Sequence, residues 1–259
     1  MHTGNSRSQQ SASINQIRDG VLRFRTVVFP KMRELYERLA EKQRPHTLFL
    51  TCGDSRIEPS LLTGTDPGQI FVERTPGNIV PVYDESVAVG VSASIEYSVA
   101  VLHVRNLIVC GHSACGAMKA LLQPDELEGL PAAARWLAYS QPALDLLNRN
   151  YSAIDEKDRL RRLSQLNVVA QMEHLHSHPV VAQHFNSGAL SIHGWFYEIH
   201  TGTVQVFNSA KGEFEDWPIA QSTFEADTSA SEPEKLGRKE PITSAIAQKA
   251  SPAGSSNPL

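Results

Sequence analysis

One stretch decides the fold of this chain: Thr47-Leu48-Phe49-Leu50-Thr51-Cys52. Its residues are apolar or β-prone without interruption and show no helical period, which is typical of a strand covered on both faces. The runs Ile70-Phe71-Val72 and Leu107-Ile108-Val109-Cys110 have the same character. Residues 85–102, between these two runs, are dense in Val, Ala, Ser and Gly and predict a buried helix. A strand, a helix and a strand in this order predict a parallel crossover unit and an α/β fold.

Helical periodicity surrounds this unit. Ser13 and Gln16 form a capping-box pattern, which predicts a first helix from about Ile14, and Pro30 opens a second helix that Pro45 ends. The later predicted elements are helices over residues 131–150 and 155–177, followed by a hairpin or two late strands over 189–200 and 204–207. The sequence therefore predicts a central, mostly parallel β-sheet flanked by helices, with an N-terminal helical arm.

Composition limits the class of protein. A net charge of -4 gives no basic field for nucleic acid, so a small-molecule partner is expected. Three cysteines are too few for a disulfide framework, which favours a reducing, cytoplasmic setting. We find neither an apolar run long enough to span a membrane nor a secretory signal pattern. Residues 1–13 and 220–259 are polar and are predicted to be disordered tails, which leaves residues 14–219 as one domain.

Three potential metal ligands follow the predicted strands. Cys52 ends the first strand, and His112 and Cys115 come just after the third. Because parallel strands present their carboxyl ends at one edge of the sheet, these side chains can converge. Two thiolates and an imidazole suit Zn²⁺ and leave a fourth position open for water. The alternative is that both cysteines and the histidine are ordinary core residues; for Cys110, inside the strand, the inert core thiol is the preferred interpretation.

Two charged residues follow the first ligand, in Cys52-Gly53-Asp54-Ser55-Arg56. An Asp beside zinc either binds the metal or accepts a hydrogen bond from its water, and a bidentate Arg partner decides which. We therefore predict that Asp54 and Arg56 act as a pair. An Asx turn followed by a surface Arg is the alternative.

The Cys52 to Arg56 segment, together with His112-Ser113-Ala114-Cys115, resembles the hallmark motifs of the β-class carbonic anhydrases. The similarity runs over residues 14–206 and includes Arg74-Thr75-Pro76-Gly77-Asn78 and Ser191-Ile192-His193-Gly194-Trp195. It implies one Zn²⁺ per subunit and reversible hydration of carbon dioxide to bicarbonate and a proton by zinc-bound hydroxide. Asp54 and Arg56 would then control the open zinc position. Because zinc with two thiolates is formally neutral, hydration activity is expected to rise through alkaline pH.

The resemblance also implies a substrate pocket. Gln43 matches a glutamine that donates to a substrate oxygen, often across a dimer interface, and Phe71 and Tyr97 match aromatic walls of the carbon dioxide pocket. Gly116 matches a glycine whose N–H faces bicarbonate. Without the family, Gln43 is a solvated residue at a helix end and the two aromatic residues are ordinary core. The family further implies a homodimer or a higher, even-numbered homo-oligomer.

The sequence departs from the family pattern at the pocket. Thr75 stands where Asn is usual, and Pro76 replaces a small apolar residue, which changes one pocket wall. Phe49 occupies a position that is Trp in the subgroup whose Asp binds zinc, so this chain more closely resembles the subgroup with an open, water-bearing site.

Two other functions compete with carbon dioxide hydration. Related proteins use this zinc site on carbon disulfide or carbonyl sulfide. The second alternative is a binding protein with a structural zinc, whose C-terminal tail recruits a partner protein, for example in a bacterial carbon-fixing microcompartment. His174, His176 and His178 suggest a further metal site, but a solvated helix end before Pro179 is the preferred interpretation because no carboxylate completes the set.

Overall fold

The fold is known from a computed structural model, which describes residues 4–86 and 89–217. Its helices are α1 (Gly4–Arg23), α2 (Arg33–Glu41), α3 (Pro59–Thr63), α4 (Val89–Glu96), α5 (Gly116–Leu122), α6 (Pro131–Leu137), α7 (Gln141–Asn150), α8 (Glu156–His176) and α9 (Pro179–Asn186). Its strands are β1 (Thr47–Cys52), β2 (Ile70–Thr75), β3 (Asn106–His112), β4 (Ser191–Tyr197), β5 (Val204–Asn208) and β6 (Glu213–Asp216).

The strands form one mixed sheet in the order β2-β1-β3-β4-β5-β6. The first four strands of that order run parallel. At the far edge, β5 pairs antiparallel with β4, and β6 pairs antiparallel with β5. Every residue of β1 is buried, as its unbroken apolar run predicts. The predicted α/β class, the parallel crossover through α4 and the late antiparallel pair are confirmed.

Helix α8 packs directly against the sheet because two strand residues lack side chains. A Cβ added at Gly111 of β3 would lie 2.5 Å from Cγ2 of Val168, and one added at Gly194 of β4 would lie 2.5 Å from Sδ of Met172. Neither glycine has a positive φ, so close approach and not backbone conformation requires them. The face of α8 that follows these contacts carries the fully buried Leu163 and Leu175.

The N-terminal segment differs from the prediction. Helix α1 begins at Gly4 and includes Ser13, so a loose segment over residues 1–13 and a helix start near Ile14 are both wrong for the described residues. No Pro or Gly interrupts the chain between Asn5 and Asp19, and a helix can therefore extend backwards from its amphipathic part without a break. A π-helical turn, Phe24–Val28, continues α1, and a 3₁₀ turn, Phe29–Lys31, leads to α2.

The helical stretch over residues 131–150 and the last strand also differ from the prediction. The helical stretch 131–150 is two helices joined by the 3₁₀ turn Ala138–Ser140, because Pro142 opens a new helix in the first turn of α7. Strand β6 was not predicted. The predicted disordered tail, residues 220–259, lies outside the described residues. Among the helices that the structure describes, none has the length and apolar character of a membrane span.

Candidate metal centre

Three side chains from two strand ends meet at the carboxyl edge of the parallel sheet. Cys52 is the last residue of β1, His112 is the last residue of β3, and Cys115 precedes the first residue of α5. Their ligand atoms, two Sγ and one imidazole nitrogen, all lie within 4.8 Å of one another. All three residues are buried. A tight, buried set of two sulfurs and one nitrogen is the donor set that Zn²⁺ prefers.

The backbone between the second and third ligands is held in an uncommon conformation. Ala114 has a φ of 54°, in the left-handed region that residues with a Cβ seldom adopt. The N–H of Ser113 donates to the carbonyl of Tyr197 at 3.0 Å, and the N–H of Ile199 donates to Oγ of Ser113 at 3.0 Å. These bonds to the end of β4 fix the turn that brings Cys115 back toward His112.

The same turn selects the nitrogen with which His112 can bind a metal. Nδ1 of His112 lies 2.9 Å from the carbonyl oxygen of Ser113, which can only accept, so Nδ1 carries the proton. Nε2 then has a free lone pair, and it is a buried nitrogen with no hydrogen-bond partner in the described structure. Buried polar atoms normally have a hydrogen-bond partner, so an unpartnered imidazole nitrogen beside two sulfurs indicates a metal ligand.

The two sulfur ligands differ in their ionisation. A hydrogen bond from the Cys115 thiol, with a further one from the Gly77 N–H, lowers the pKa of Cys52 to about 4 against the opposing effect of burial. The same contact with Cys52, together with burial, raises the pKa of Cys115. One sulfur is thus a thiolate that shares the other's proton, and a divalent cation placed between them would release that proton.

Asp54 and Arg56 form a bidentate ion pair beside these ligands. Nε of Arg56 donates to Oδ1 of Asp54 at 2.9 Å, and Nη2 donates to Oδ2 at 2.7 Å. Nη2 also donates to the carbonyl of Ala114 at 3.0 Å, which ties the pair to the turn between the ligands. Hydrogen bonds from Arg56 hold the pKa of Asp54 well below its usual range. Oδ2 of Asp54 lies 3.9 Å from Nε2 of His112, so an ionised carboxylate faces the position between the ligands.

A second set of contacts supports the ligands from behind, and sequence reasoning assigned no role to its side chains. Arg74 donates through Nη2 to the carbonyl of Asp54 at 2.6 Å. The N–H of Gly77 donates to Sγ of Cys52 at 3.3 Å, and Trp136 and Asn167 hold the carbonyls on either side of Gly77. One signal for these contacts was present in the sequence: Asn167 and Gln171 lie four residues apart within an apolar helix pattern. Buried amides in such a helix need hydrogen-bond partners, which predicts a contact with a neighbouring segment.

The predicted substrate residues do not lie beside the ligands within one chain. Phe71 pairs in register with Leu48, four residues before Cys52, which corresponds to about 13 Å along the strand. Its ring contacts that of Tyr97, with centroids 6.2 Å apart. Gln43 is exposed in the segment before β1. Gly116 alone of the four adjoins the ligands, as the first residue of α5, and an added Cβ there would meet nothing within 4 Å.

The other residues that the sequence analysis considered are buried or half-buried and have structural contacts. Burial raises the pKa of Cys110 to about 12, which keeps it a neutral core thiol. His178 is fully buried with Nε2 3.0 Å from the carbonyl of Pro81, so the prediction of a solvated helix end is wrong for this residue. The half-buried His174 likewise meets the carbonyl of Val80 at 2.8 Å. Thr75, the departure beside the pocket, is buried and donates to the carbonyl of Ile79 at 2.9 Å.

Fold and site together define an α/β protein in which three residues that could hold a metal ion meet at the carboxyl edge of a parallel sheet. The family model described as carbonic anhydrase matches residues 47–204. A carbonic anhydrase of Pseudomonas aeruginosa is 43% identical over 201 residues, which cover 78% of this chain and 90% of that protein.

Solved structures narrow the class. The β-carbonic anhydrase CcaA matches 79% of this chain and 100% of its own at 35% identity, with a TM-score of 0.77. A tetrameric β-carbonic anhydrase of Sordaria macrospora matches 79% and 98%, at 30% identity and a TM-score of 0.64. This chain belongs to the carbonic anhydrase family, and its fold is that of the β class of these enzymes.

Proposed function

We propose that this chain catalyses the reversible hydration of carbon dioxide to bicarbonate and a proton, with one Zn²⁺ held by Cys52, His112 and Cys115. Family membership supports the reaction, and the unpartnered Nε2 of His112 beside two sulfurs supports the metal. When bound, zinc supplies the Lewis acidity that makes water a nucleophile near neutral pH. Three protein ligands leave room for that water, as catalytic zinc sites require.

The role proposed for Asp54 rests on its ion pair. Two hydrogen bonds from Arg56 keep the carboxylate ionised and turned toward the guanidinium, so it can only accept hydrogen bonds. An acceptor in this position would receive a hydrogen bond from the attacking oxygen, while Asp54 stays ionised, and would direct an oxygen lone pair at carbon dioxide. The bidentate pair also opposes direct binding of Asp54 to the metal, in agreement with the open type of site that Phe49 indicates. Arg56 therefore controls whether the fourth position stays open.

A second copy of the chain would complete the pocket. Gln43, Phe71 and Tyr97 are proposed to bind substrate, yet they lie toward the amino end of the strands, away from the ligands of their own chain. A partner subunit that presents these residues across the interface would supply a hydrogen-bond donor and an apolar wall, and Gly116 would add its N–H from the ligand side.

The exposed apolar side chains of the N-terminal helix also favour a homodimer or a higher, even-numbered assembly. Ile14, Ile17, Val21 and Leu22 of α1 are all at least half exposed, at 52%, 62%, 62% and 60%. Such an apolar face on a projecting helix is typical of an interface. The similar Sordaria macrospora enzymes are described as tetrameric. A reducing, cytoplasmic location fits three cysteines that are all unbridged, at positions 52, 110 and 115.

The test uses the purified full-length chain. Bound zinc is measured per subunit, and the pH change on mixing with carbon dioxide is followed by stopped flow, beside sulfide release from carbonyl sulfide and carbon disulfide. We expect one zinc per subunit and carbon dioxide hydration that rises through alkaline pH. Sulfide release without hydration would reject the proposed substrate.

A single substitution then tests the carboxylate. Asp54→Asn keeps the shape of the side chain but removes the charge that faces the ligands, so turnover should fall by about 10²-fold or more while zinc is retained. Asp145→Asn, at an exposed carboxylate that accepts from Gln141, is the matched control and should be unchanged. Loss of zinc from Asp54→Asn would instead make the carboxylate a necessary ligand.

A further inference from the structure

A single peptide group connects the metal ligand Cys52 to an indole on another helix. The N–H of Gly77 donates to Sγ of Cys52 at 3.3 Å. The carbonyl of Pro76 belongs to the same peptide unit, and it accepts a hydrogen bond from Nε1 of Trp136 in α6 at 2.9 Å. The chain of hydrogen bonds therefore runs from the indole N–H to the peptide carbonyl, and from the N–H of that peptide to the sulfur, which accepts. Sixty positions of sequence separate Trp136 from Pro76.

The next peptide group is held from the opposite helix. Nδ2 of Asn167 in α8 donates to the carbonyl of Gly77 at 2.8 Å, and Oδ1 of Asn167 accepts from Nε2 of Gln171 at 2.9 Å. Oε1 of Gln171 in turn accepts the N–H of Val80 at 2.8 Å. Asn167 and Gln171 are both fully or almost fully buried, so water does not compete for these bonds.

The backbone between these anchors does not hold its shape by itself. Gly77 has a φ of 75° and Asn78 a φ of 49°, so two consecutive residues are left-handed. That conformation is costly for Asn, and it persists only where surrounding contacts determine it. A Cβ at Gly77 would lie 3.1 Å from Cβ of Ala117, a tight contact that, together with the positive φ, favours glycine between the turn and α5.

We infer that Trp136 and Asn167 are positioning residues that fix and polarise the Gly77 N–H toward the Cys52 thiolate, and through it adjust how that sulfur binds the metal. The inference rests on the metal site proposed above. A donor to the Pro76 carbonyl polarises the whole peptide unit and makes its N–H a stronger donor. A hydrogen bond to a thiolate withdraws electron density from sulfur and fixes its direction, and outer contacts of this kind change metal affinity by about 10–100-fold.

The test removes one hydrogen bond and keeps an aromatic side chain. Trp136→Phe loses the indole N–H, and Trp217→Phe is the matched control, since Trp217 packs edge-to-face against Trp195. Each protein is loaded with zinc or with cobalt. Zinc affinity is measured by competition with a chromophoric chelator, and the sulfur-to-cobalt charge-transfer band is recorded.

In Trp136→Phe we expect zinc affinity to fall by about tenfold. This is the lower end of the range given above, because the substitution leaves the Gly77 N–H in place and weakens its hydrogen bond only through the peptide group. The charge-transfer band should move to longer wavelength, because a sulfur with a weaker hydrogen bond is more electron-rich. Trp217→Phe should match the wild type in both measurements. Affinity within about twofold of wild type with an unmoved band would overturn the inference.

A measurement on the unsubstituted protein covers the case in which Trp136→Phe does not fold. In the nitrogen-labelled, cadmium-loaded wild type, scalar coupling between cadmium and the Gly77 amide is expected across the hydrogen bond, and its absence from an assigned Gly77 signal would overturn the inference. None of these measurements uses carbon dioxide, so a negative result leaves the proposed reaction untouched. A wild-type chain that bound none of these metals would overturn the metal site and this inference together.

Discussion

Replacement of Arg56 by Lys tests whether the ion pair keeps the metal position open. Lysine preserves the positive charge but cannot make two parallel hydrogen bonds to one carboxylate, as Nε and Nη2 of Arg56 do with Asp54. The released carboxylate stands next to the ligands, with Oδ2 3.9 Å from Nε2 of His112. It can therefore turn toward a bound metal and occupy the position that water needs.

The magnitude follows from the bonds that are lost. A hydrogen bond to a charged group contributes about 1.5–3 kcal/mol, and we use the lower end because the Arg56 side chain is 47% exposed and solvent screens the pair. Lysine retains one bond at best, so the open arrangement loses about 1.5 kcal/mol, and the ratio of open to closed arrangements falls roughly tenfold. Arg56→Ala loses both bonds, about 3 kcal/mol, so the ratio falls by roughly 100-fold and turnover should fall further than in Arg56→Lys.

Stopped-flow carbon dioxide hydration measured with zinc content distinguishes this effect from metal loss. The matched control is Arg161→Lys, since Arg161 pairs with Glu198 at 3.0 Å and its side chain is 42% exposed, close to the 47% of Arg56. We expect Arg161→Lys to retain wild-type turnover, and the two Arg56 variants to retain zinc while turnover falls in two steps. An Arg56→Ala protein with full zinc and turnover within about twofold of wild type would refute the gating role of the ion pair.

Two further predictions concern stability. Gly111→Ala should lower the free energy of unfolding by about 1–3 kcal/mol, because its methyl overlaps Val168. The control Gly90→Ala, whose methyl meets nothing within 4 Å, should not destabilise the protein. Thermal melting compares the two, and equal melting temperatures would contradict the packing described for α8. Burial lowers the pKa of His178 below its ordinary 6.5. The unfolded chain then binds the proton more tightly, so the His178 contribution is complete above pH 6.5 and is lost as pH falls below it. That loss is at most about 1.4 kcal/mol one pH unit lower. His178→Gln should thus lose less stability than wild type between about pH 7.5 and about pH 5.5 in denaturant titrations, and equal losses would contradict this account.

The parts of the fold that were predictable have strong local signals. The uninterrupted apolar runs of β1 and β3 leave little choice but buried parallel strands, and Pro30 and Pro45 bound the second helical segment. Strand β6 has no such signal, because Glu213-Phe214-Glu215-Asp216 is mostly charged and becomes a strand by pairing with β5. Helix α1 was underestimated at its start because the capping pattern at Ser13 is only a local preference, which a helix can pass through when no breaker precedes it.

The clustering of the three candidate ligands was predictable because their side chains are chemically distinctive and stand at strand ends. Cys52, His112 and Cys115 would draw notice in any sequence, and the alternation of Asp54 and Arg56 suggests a pair. Their supports are not distinctive. A backbone N–H has no sequence signature, and Asn167 could equally occupy a solvated helix face. Only the fold shows that this amide is buried and directed at the loop behind Cys52.

The position of α8 connects packing to the metal centre. Gly111 and Gly194 let the helix approach the sheet closely, and the same approach carries Asn167 to the carbonyl of Gly77. Any side chain that pushes α8 outward therefore lengthens this hydrogen bond and disturbs the turn that donates to Cys52. Gly111→Ala should consequently weaken zinc binding as well as stability, whereas Gly90→Ala should change neither. The glycines of β3 and β4 thus support the proposed metal site through the helix that they allow to pack.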